Sequence, residues 1–342
     1  MHLSGFSLPT RGGRPPRSAH SGSVYAGLMH AVTIVERDLV WQEYPDPEPR
    51  AGELLVAVRA AGINAADLLQ RKGFYPAPPG SPPDIPGLEF AGEVVGLGLG
   101  TSRFAVGDRV TAVTGGGGQA ELALVPESNA LPVPDDVAWE QAGAFPEAFS
   151  TAFDALFTQA GLSAGDRVLI SGAAGGVGTA AVQLAHAAGA HVVASVRSEA
   201  RHAQVADLGA DEVVVPDQAI DHGPFDVSLE LVGADGVATV LPVLATGARV
   251  VVIGVGAGAK LEVNLLALMQ RRATIGGSML RSRTVEEKAM VARAVEEHVL
   301  PLLDDGRITV PIAEEVPMAD AEVAYAQFAA GGKFGKIVLV TG

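Results

Sequence analysis

Val168-Leu169-Ile170-Ser171-Gly172-Ala173-Ala174-Gly175-Gly176-Val177-Gly178 runs from a β-branched apolar segment into a cluster of glycines, and an Ala-rich helical pattern continues to Ala188. Strand, tight turn and helix in that order are the setting of a dinucleotide-binding turn. Such a turn needs backbone without side chains beside a pyrophosphate, and a helix N-terminus whose free N–H groups meet the negative charge. Gly175 and Gly178 fill the second and third positions of the glycine fingerprint, and Ala173 stands at the first. The bare pattern is weak, and its place between strand and helix gives it force. From Val168 to Val196 there are 29 residues without a formal charge, longer than a usual membrane span. Five glycines, His186 and His191 interrupt that run, so strand, turn and buried helix explain it better.

The strand after this helix ends Ser195-Val196-Arg197-Ser198-Glu199-Ala200-Arg201. An NAD site would place a carboxylate at the strand end to hold the ribose hydroxyls. Here two guanidiniums and a hydroxyl follow instead, groups that bind a 2′-phosphate, and NADP(H) is the expected coenzyme. Arg197 and Arg201 also read as solvated residues at a helix start.

Working outward, Val192–Ser195, Glu212–Val215, Val227–Leu231 and Arg249–Ile253 alternate with helical stretches, which predicts a parallel, doubly wound sheet. Upstream, from Met29 to about residue 147, short strands alternate with Pro/Gly turns and predict a mainly β unit. Asn64–Gln70 reads as one or two helical turns between strands. Gly115–Gly118 precedes an alternating strand rather than a helix and reads as a turn. A single long charged helix is expected from about Thr284 to Leu303. The terminal Gly335–Val340 reads as a strand able to return to the first unit. Residues 1–28 carry three arginines, no acidic residue and no apolar run of signal-peptide length. They are expected to be a disordered tail, or to precede a start at Met29.

The chain has 342 residues, enough for about two domains. At 48% hydrophobic and 18% charged, with mean hydropathy +0.28, it is too apolar for a disordered protein. A net charge of −15 argues against nucleic acid or an anionic membrane as partner. Cys is absent, which excludes disulfides, thiolate nucleophiles and Cys-ligated metals. The eight His form no H-x-x-x-H or H-E-x-x-H pair, so no metal centre is expected. A reducing, cytoplasmic setting is compatible with this composition.

Asp84-Ile85-Pro86-Gly87-Leu88-Glu89-Phe90-Ala91-Gly92 resembles the G-H-E segment of medium-chain dehydrogenases/reductases, with Leu88 where zinc members carry a ligand His. Ala61–Tyr75, Pro146–Phe153, Ser278–Arg283 and Phe334-Gly335-Lys336 resemble the zinc-free, zeta-crystallin-type quinone oxidoreductases, over about residues 29–342. The resemblance implies a GroES-like, mainly β catalytic domain from residues 29–147 and 282–342, around a Rossmann NADP-binding domain, 148–281. It implies a homodimer, and an active site in the cleft between the domains. Asn64 and Tyr75 would lie beside the nicotinamide and substrate, and Thr151 at the nicotinamide end. Gly175, Gly176 and Val177 would face the pyrophosphate, and Ser198 and Arg201 the 2′-phosphate. Val232, Ile253, Ser278, Leu280 and Lys336 complete the cofactor positions that the resemblance implies. Phe149 replaces a common Trp, and Pro216 a Tyr that packs on the adenine in several relatives.

Hydride transfer leaves negative charge on a substrate oxygen, and without a Lewis acid that charge falls to positioned donors or to delocalisation in the substrate. A quinone or an α,β-unsaturated carbonyl delocalises it, whereas a simple ketone does not. The expected activity is therefore NADPH-dependent quinone reduction, with Tyr75 and Asn64 as donors. Enone or enoyl reduction, and NADPH binding without turnover, are the alternatives. Taken alone, Tyr75 also suits packing of the Pro76–Gly80 loop, Asn64 suits a helix cap, and Glu147 reads as a structural acceptor.

Overall fold

A computed structural model describes residues 27–342, so all but the last two residues of the expected tail lie outside the described residues. The chain opens with a hairpin, β1 (Leu28–Val35) and β2 (Asp38–Pro45), closed by Glu36 and Arg37 at positive φ. β3 (Glu53–Gly62), helix α1 (Ala65–Arg71), β4 (Glu89–Leu97), β5 (Arg109–Val113), β6 (Leu122–Pro126) and β7 (Ala130–Pro132) follow. Two helices, α2 (Trp139–Ala144) and α3 (Pro146–Phe153), lead into a π-helical segment, Asp154–Gln159.

Strand and helix then alternate: β8 (Arg167–Ser171), α4 (Gly176–Ala187), β9 (His191–Ser195), α5 (His202–Ala206), β10 (Glu212–Val214), β11 (Phe225–Glu230), α6 (Ala234–Val240), β12 (Leu244–Val252), α7 (Leu265–Arg271) and β13 (Thr274–Gly277). All six strands are parallel, in the order β10-β9-β8-β11-β12-β13. The order reverses direction beside β8, and open sheets bind ligands at such a point, outside the carboxyl ends of the strands. The uncharged run from Val168 is thus β8, α4 and β9, and among the described residues no helix is long and apolar enough to cross a membrane.

The expected long helix is two. α8 (Val285–His298) ends at Val299 and α9 (Leu300–Asp304) begins again, because Pro301 lacks the N–H that would continue the ladder. After β14 (Ile312–Pro317) and α10 (Ala321–Ala330) comes β15 (Lys336–Val340), which pairs antiparallel with β3. A seven-stranded sheet, β14-β15-β3-β4-β5-β7 with β6 on β3, thereby takes strands from both ends of the chain. Buried residues of β8, α4 and β9 form one core with α2, α3 and α8, while Phe90, Val56 and Tyr325 centre a second core within the seven-stranded sheet.

Candidate active site

The turn between β8 and α4 is built as its sequence requires. Gly172 sits at φ +62°, where a side chain would be strained. A Cβ at Gly178 would come within 2.5 Å of the Gly172 carbonyl oxygen, so the helix can approach the turn this closely only without one. At Gly175, by contrast, the nearest atom to an added Cβ is 3.5 Å away. An open shelf therefore faces the start of α4, a twelve-residue helix with no acidic residue in its first turn. The free N–H groups of its first residues are a ready anion site.

β15 brings the end of the chain to this shelf. Gly175 bridges Gly335, and Gly335 N–H donates to the Ala174 carbonyl at 3.0 Å. The Lys336 stem lies against Gly176, where a Cβ would meet its Cδ at 2.5 Å. The Lys336 ammonium then reaches Asn64 Oδ1 at 2.6 Å and Glu89 Oε1 at 2.5 Å. Asn64 Nδ2 donates to the same Glu89 oxygen at 2.9 Å, and the backbone N–H of Glu147 donates to Glu89 Oε2 at 2.9 Å. The Asn64 amide is thus committed to Glu89, and the residue closes α1 through its backbone N–H, 2.8 Å from Asp67 Oδ2.

Lys336 and Glu89 are buried, as is Asp67, whose carboxyl burial pushes up to about 6. Glu147 is partly accessible, but its Oε2 is buried and without a hydrogen-bond partner among the described residues. Burial and then the neighbouring Glu89 carboxylate push Glu147 up to about 8. No donor reaches the Glu147 carboxyl among the described residues; the residue donates through its backbone instead, and burial favours the protonated carboxyl.

Tyr75 is half-buried, and burial raises its phenol. Arg281 fixes its loop. The buried guanidinium lies over the Tyr75 ring at 4.9 Å, donates to the Tyr75 carbonyl at 2.8 Å and to the Gly115 carbonyl at 2.8 Å, and binds Gln70 Oε1 at 2.5 Å. Gly115–Gly118 is accordingly a turn that receives Arg281, with Gly117 N–H on the Ile85 carbonyl.

Thr151 is buried one turn beyond Glu147 on α3. Val232 lies beside Gly172, and its N–H donates to the buried Glu230 carboxylate, which also accepts from Ser171 at 2.7 Å. Ile253 N–H binds the Glu230 carbonyl. Leu280 is buried and lines a small cavity together with Ser150 and Lys288. The Ser278 hydroxyl is drawn into a polar group with Gln159 and the bidentate Arg283–Asp154 pair, apart from Asn64 and Tyr75. At the other end of the shelf, Ser198 and Arg197 are exposed past β9, and Arg201 binds the Gly332 carbonyl and Gln204.

The sequence matches the family model for an alcohol dehydrogenase GroES-like domain over residues 50–135 and the one for a zinc-binding dehydrogenase over 176–296. It is 33% identical over 306 residues to the quinone oxidoreductase of Rattus norvegicus, across 86% of this chain and 91% of that one. The chain belongs to the medium-chain dehydrogenase/reductase family. This medium-chain dehydrogenase/reductase is an oxidoreductase with the family's GroES-like and Rossmann units. It is also 33% identical, over 85% of its length, to 14% of a mycocerosic acid synthase-like polyketide synthase of Mycobacterium tuberculosis. Among solved structures it resembles the cobalt- and zinc-bound thermostable alcohol dehydrogenase of Pyrobaculum aerophilum, with TM-score 0.80, 29% identity, and 92% of this chain against all of that one.

The family binds a nicotinamide cofactor, and the open shelf at Gly175 with the unobstructed start of α4 fits one. Zinc does not fit. Cys is absent from the chain, the buried Leu88 precedes Glu89, and Glu89 is neutralised by Lys336. Among the described residues no group of three or more His, Cys, Asp or Glu is placed so that it could hold a metal ion. Sequence reasoning gave Glu89 and Arg281 no role and read Glu147 only as a structural acceptor. Glu89 carried a signal, a carboxylate inside an apolar strand, which must find a partner when buried.

Proposed function

We propose that this oxidoreductase transfers hydride from NADPH to a quinone without a metal. The observation that supports the reading is the hydrogen-bonded network of part-buried Asn64 with buried Lys336 and Glu89 beside the glycine turn, with the buried, apolar Leu88 preceding Glu89. The bound coenzyme supplies the hydride. Gly175, Gly176 and Val177 hold its pyrophosphate, and Ser198 and Arg201 its 2′-phosphate. Thr151 stands at the nicotinamide end, and Val232, Ile253, Ser278 and Leu280 are further coenzyme positions. Lys336 anchors Asn64 and Glu89, which keeps the floor of the cleft rigid. Tyr75, protonated and clamped by Arg281, donates to the oxygen on which charge develops. The catalytic unit is drawn from 29–147 and 282–342 and the coenzyme unit from 148–281, in a cytoplasmic homodimer.

Reduction of an enone C=C is a second reading, favoured by the match to a polyketide synthase. Turnover of a panel of quinones and enones after exhaustive chelation decides between them: reduced quinone supports the first, a saturated ketone the second, and loss of turnover with stoichiometric zinc removed overturns both. Coenzyme choice is checked by fluorescence titration of NADPH and NADH. A hydrogen bond to a charged group contributes about 1.5–3 kcal/mol, so Arg201→Ala should weaken NADPH by roughly 10- to 150-fold and leave NADH nearly unchanged. Equal wild-type affinities would refute the NADPH assignment.

A further inference from the structure

The floor of the cleft holds more carboxyls than cations. Asp67, Glu89 and Glu147 meet there, and the only buried ammonium touching them, among the described residues, is Lys336, which is spent on Glu89 at 2.5 Å. Asp67 is fully enclosed and satisfied by the N–H groups of Asn64 at 2.8 Å and Gly87 at 3.0 Å. Glu89 is equally enclosed and accepts from Lys336, Asn64 and the Glu147 N–H. Glu147 alone of the three is partly accessible, and alone has a buried carboxyl oxygen without a partner. It stands in the first turn of α3, one turn before Thr151 and on the same helix face.

We propose that Glu147 is the proton donor of the reaction, delivering its carboxyl proton to the substrate oxygen as hydride arrives. The inference rests on the proposed reduction of a quinone or enone. The balance is complete: the coenzyme gives two electrons and one hydrogen as hydride, Glu147 gives one proton, and the carboxylate left behind recovers a proton from solvent. The groups around it suit both states. Glu89 and Asp67 disfavour the carboxylate before transfer, while Lys336, Lys288 on α8 and Arg281 stand close enough to temper it afterwards. Tyr75, also within electrostatic reach of Glu147, positions and polarises the same oxygen. With the Asn64 amide committed to Glu89, the proton must come from another group.

The test is Glu147→Gln, which keeps the shape and removes the acid, read in two ways. In steady state, wild-type kcat should fall as pH rises through about 8, and the variant should be about 100-fold slower with that fall lost. Chemical denaturation supplies a readout independent of turnover. Unfolded Glu147 ionises near its ordinary 4.5 and the folded group near 8, so the native state holds an extra proton between these values. The stability of the wild type relative to the variant should decline as pH rises across that window and level off above it. Glu147→Asp, which retains an acid, should recover part of the rate. Unchanged kcat and pH profile in Glu147→Gln would overturn the proposal, as would a stability difference that does not vary with pH. Loss of the pH-dependent stability difference condemns Glu147 itself, whereas a wild type that reduces no quinone or enone condemns the reaction assignment.

Discussion

Gly175 and Gly178 are three residues apart and answer to different constraints. At Gly178 the missing side chain serves the fold, since a Cβ would fall 2.5 Å from the Gly172 carbonyl oxygen. At Gly175 the fold does not require it, because an added methyl would make only an ordinary 3.5 Å contact with the Gly172 carbonyl oxygen and the backbone, at φ −81° and ψ 171°, is one that alanine adopts freely; on the proposed reading it serves the ligand. The two substitutions should therefore separate. Gly178→Ala is expected to cost about 1–3 kcal/mol of stability through overpacking, measured by urea denaturation. Gly175→Ala should leave stability within about 0.5 kcal/mol of wild type and weaken both NADPH and NADH, measured by fluorescence titration. Equal effects on stability would mean that the shelf at Gly175 is part of the packed core.

Among the elements, β15 does the most to join fold and chemistry, because its first residue is the cation of the cleft floor. Lys336 is 3% exposed and Glu89 0%, so their pair is screened very little by water. Removing one member of a buried pair leaves an uncompensated charge, and Lys336→Met should cost about 3–5 kcal/mol. Urea denaturation measures the loss; one under about 1 kcal/mol would show that the pair is not needed. Five of the six parallel strands were legible from their apolar runs, because a strand buried on both faces leaves an uninterrupted signature; the exposed, Gly-rich β13 has no such run and was not. α1, the glycine turn and the returning terminal strand were legible too. The break at Val299 was not, because the apolar and charged pattern of Val285–Asp304 continues across it and only Pro301 marks it. Site residues fared differently. Lys336 and Asn64 came from resemblance, and the structure shows them touching, but Glu89 and Arg281 act through partners 247 and 211 positions away in sequence. No local pattern announces a contact that the fold creates.

At the scale of the molecule, one side of the parallel sheet is unfinished. β13 is the last strand in the order and pairs with β12 alone in that sheet, and its residues Thr274, Gly276 and Gly277 are exposed. An open strand edge invites another strand, although the exposed Arg271 and Arg272 stand just before this one. The adjoining helix α7 has no buried residue, and Leu265, Leu266 and Met269 are 67%, 62% and 70% exposed. Apolar side chains gathered beside a free edge mark an interaction surface. A two-fold pairing of β13 edges would make the partner a second copy of this chain and close the surface on itself, as cyclic symmetry requires. The net charge of −15 opposes association but falls off within a Debye length of about 8 Å at physiological salt, so the contact should strengthen as ionic strength rises. Sedimentation equilibrium should give a dimer at micromolar concentration, and Leu266→Asp combined with Met269→Asp should give a folded monomer. A wild type that sediments as a monomer, or a dimer that survives both charges, would place the contact elsewhere.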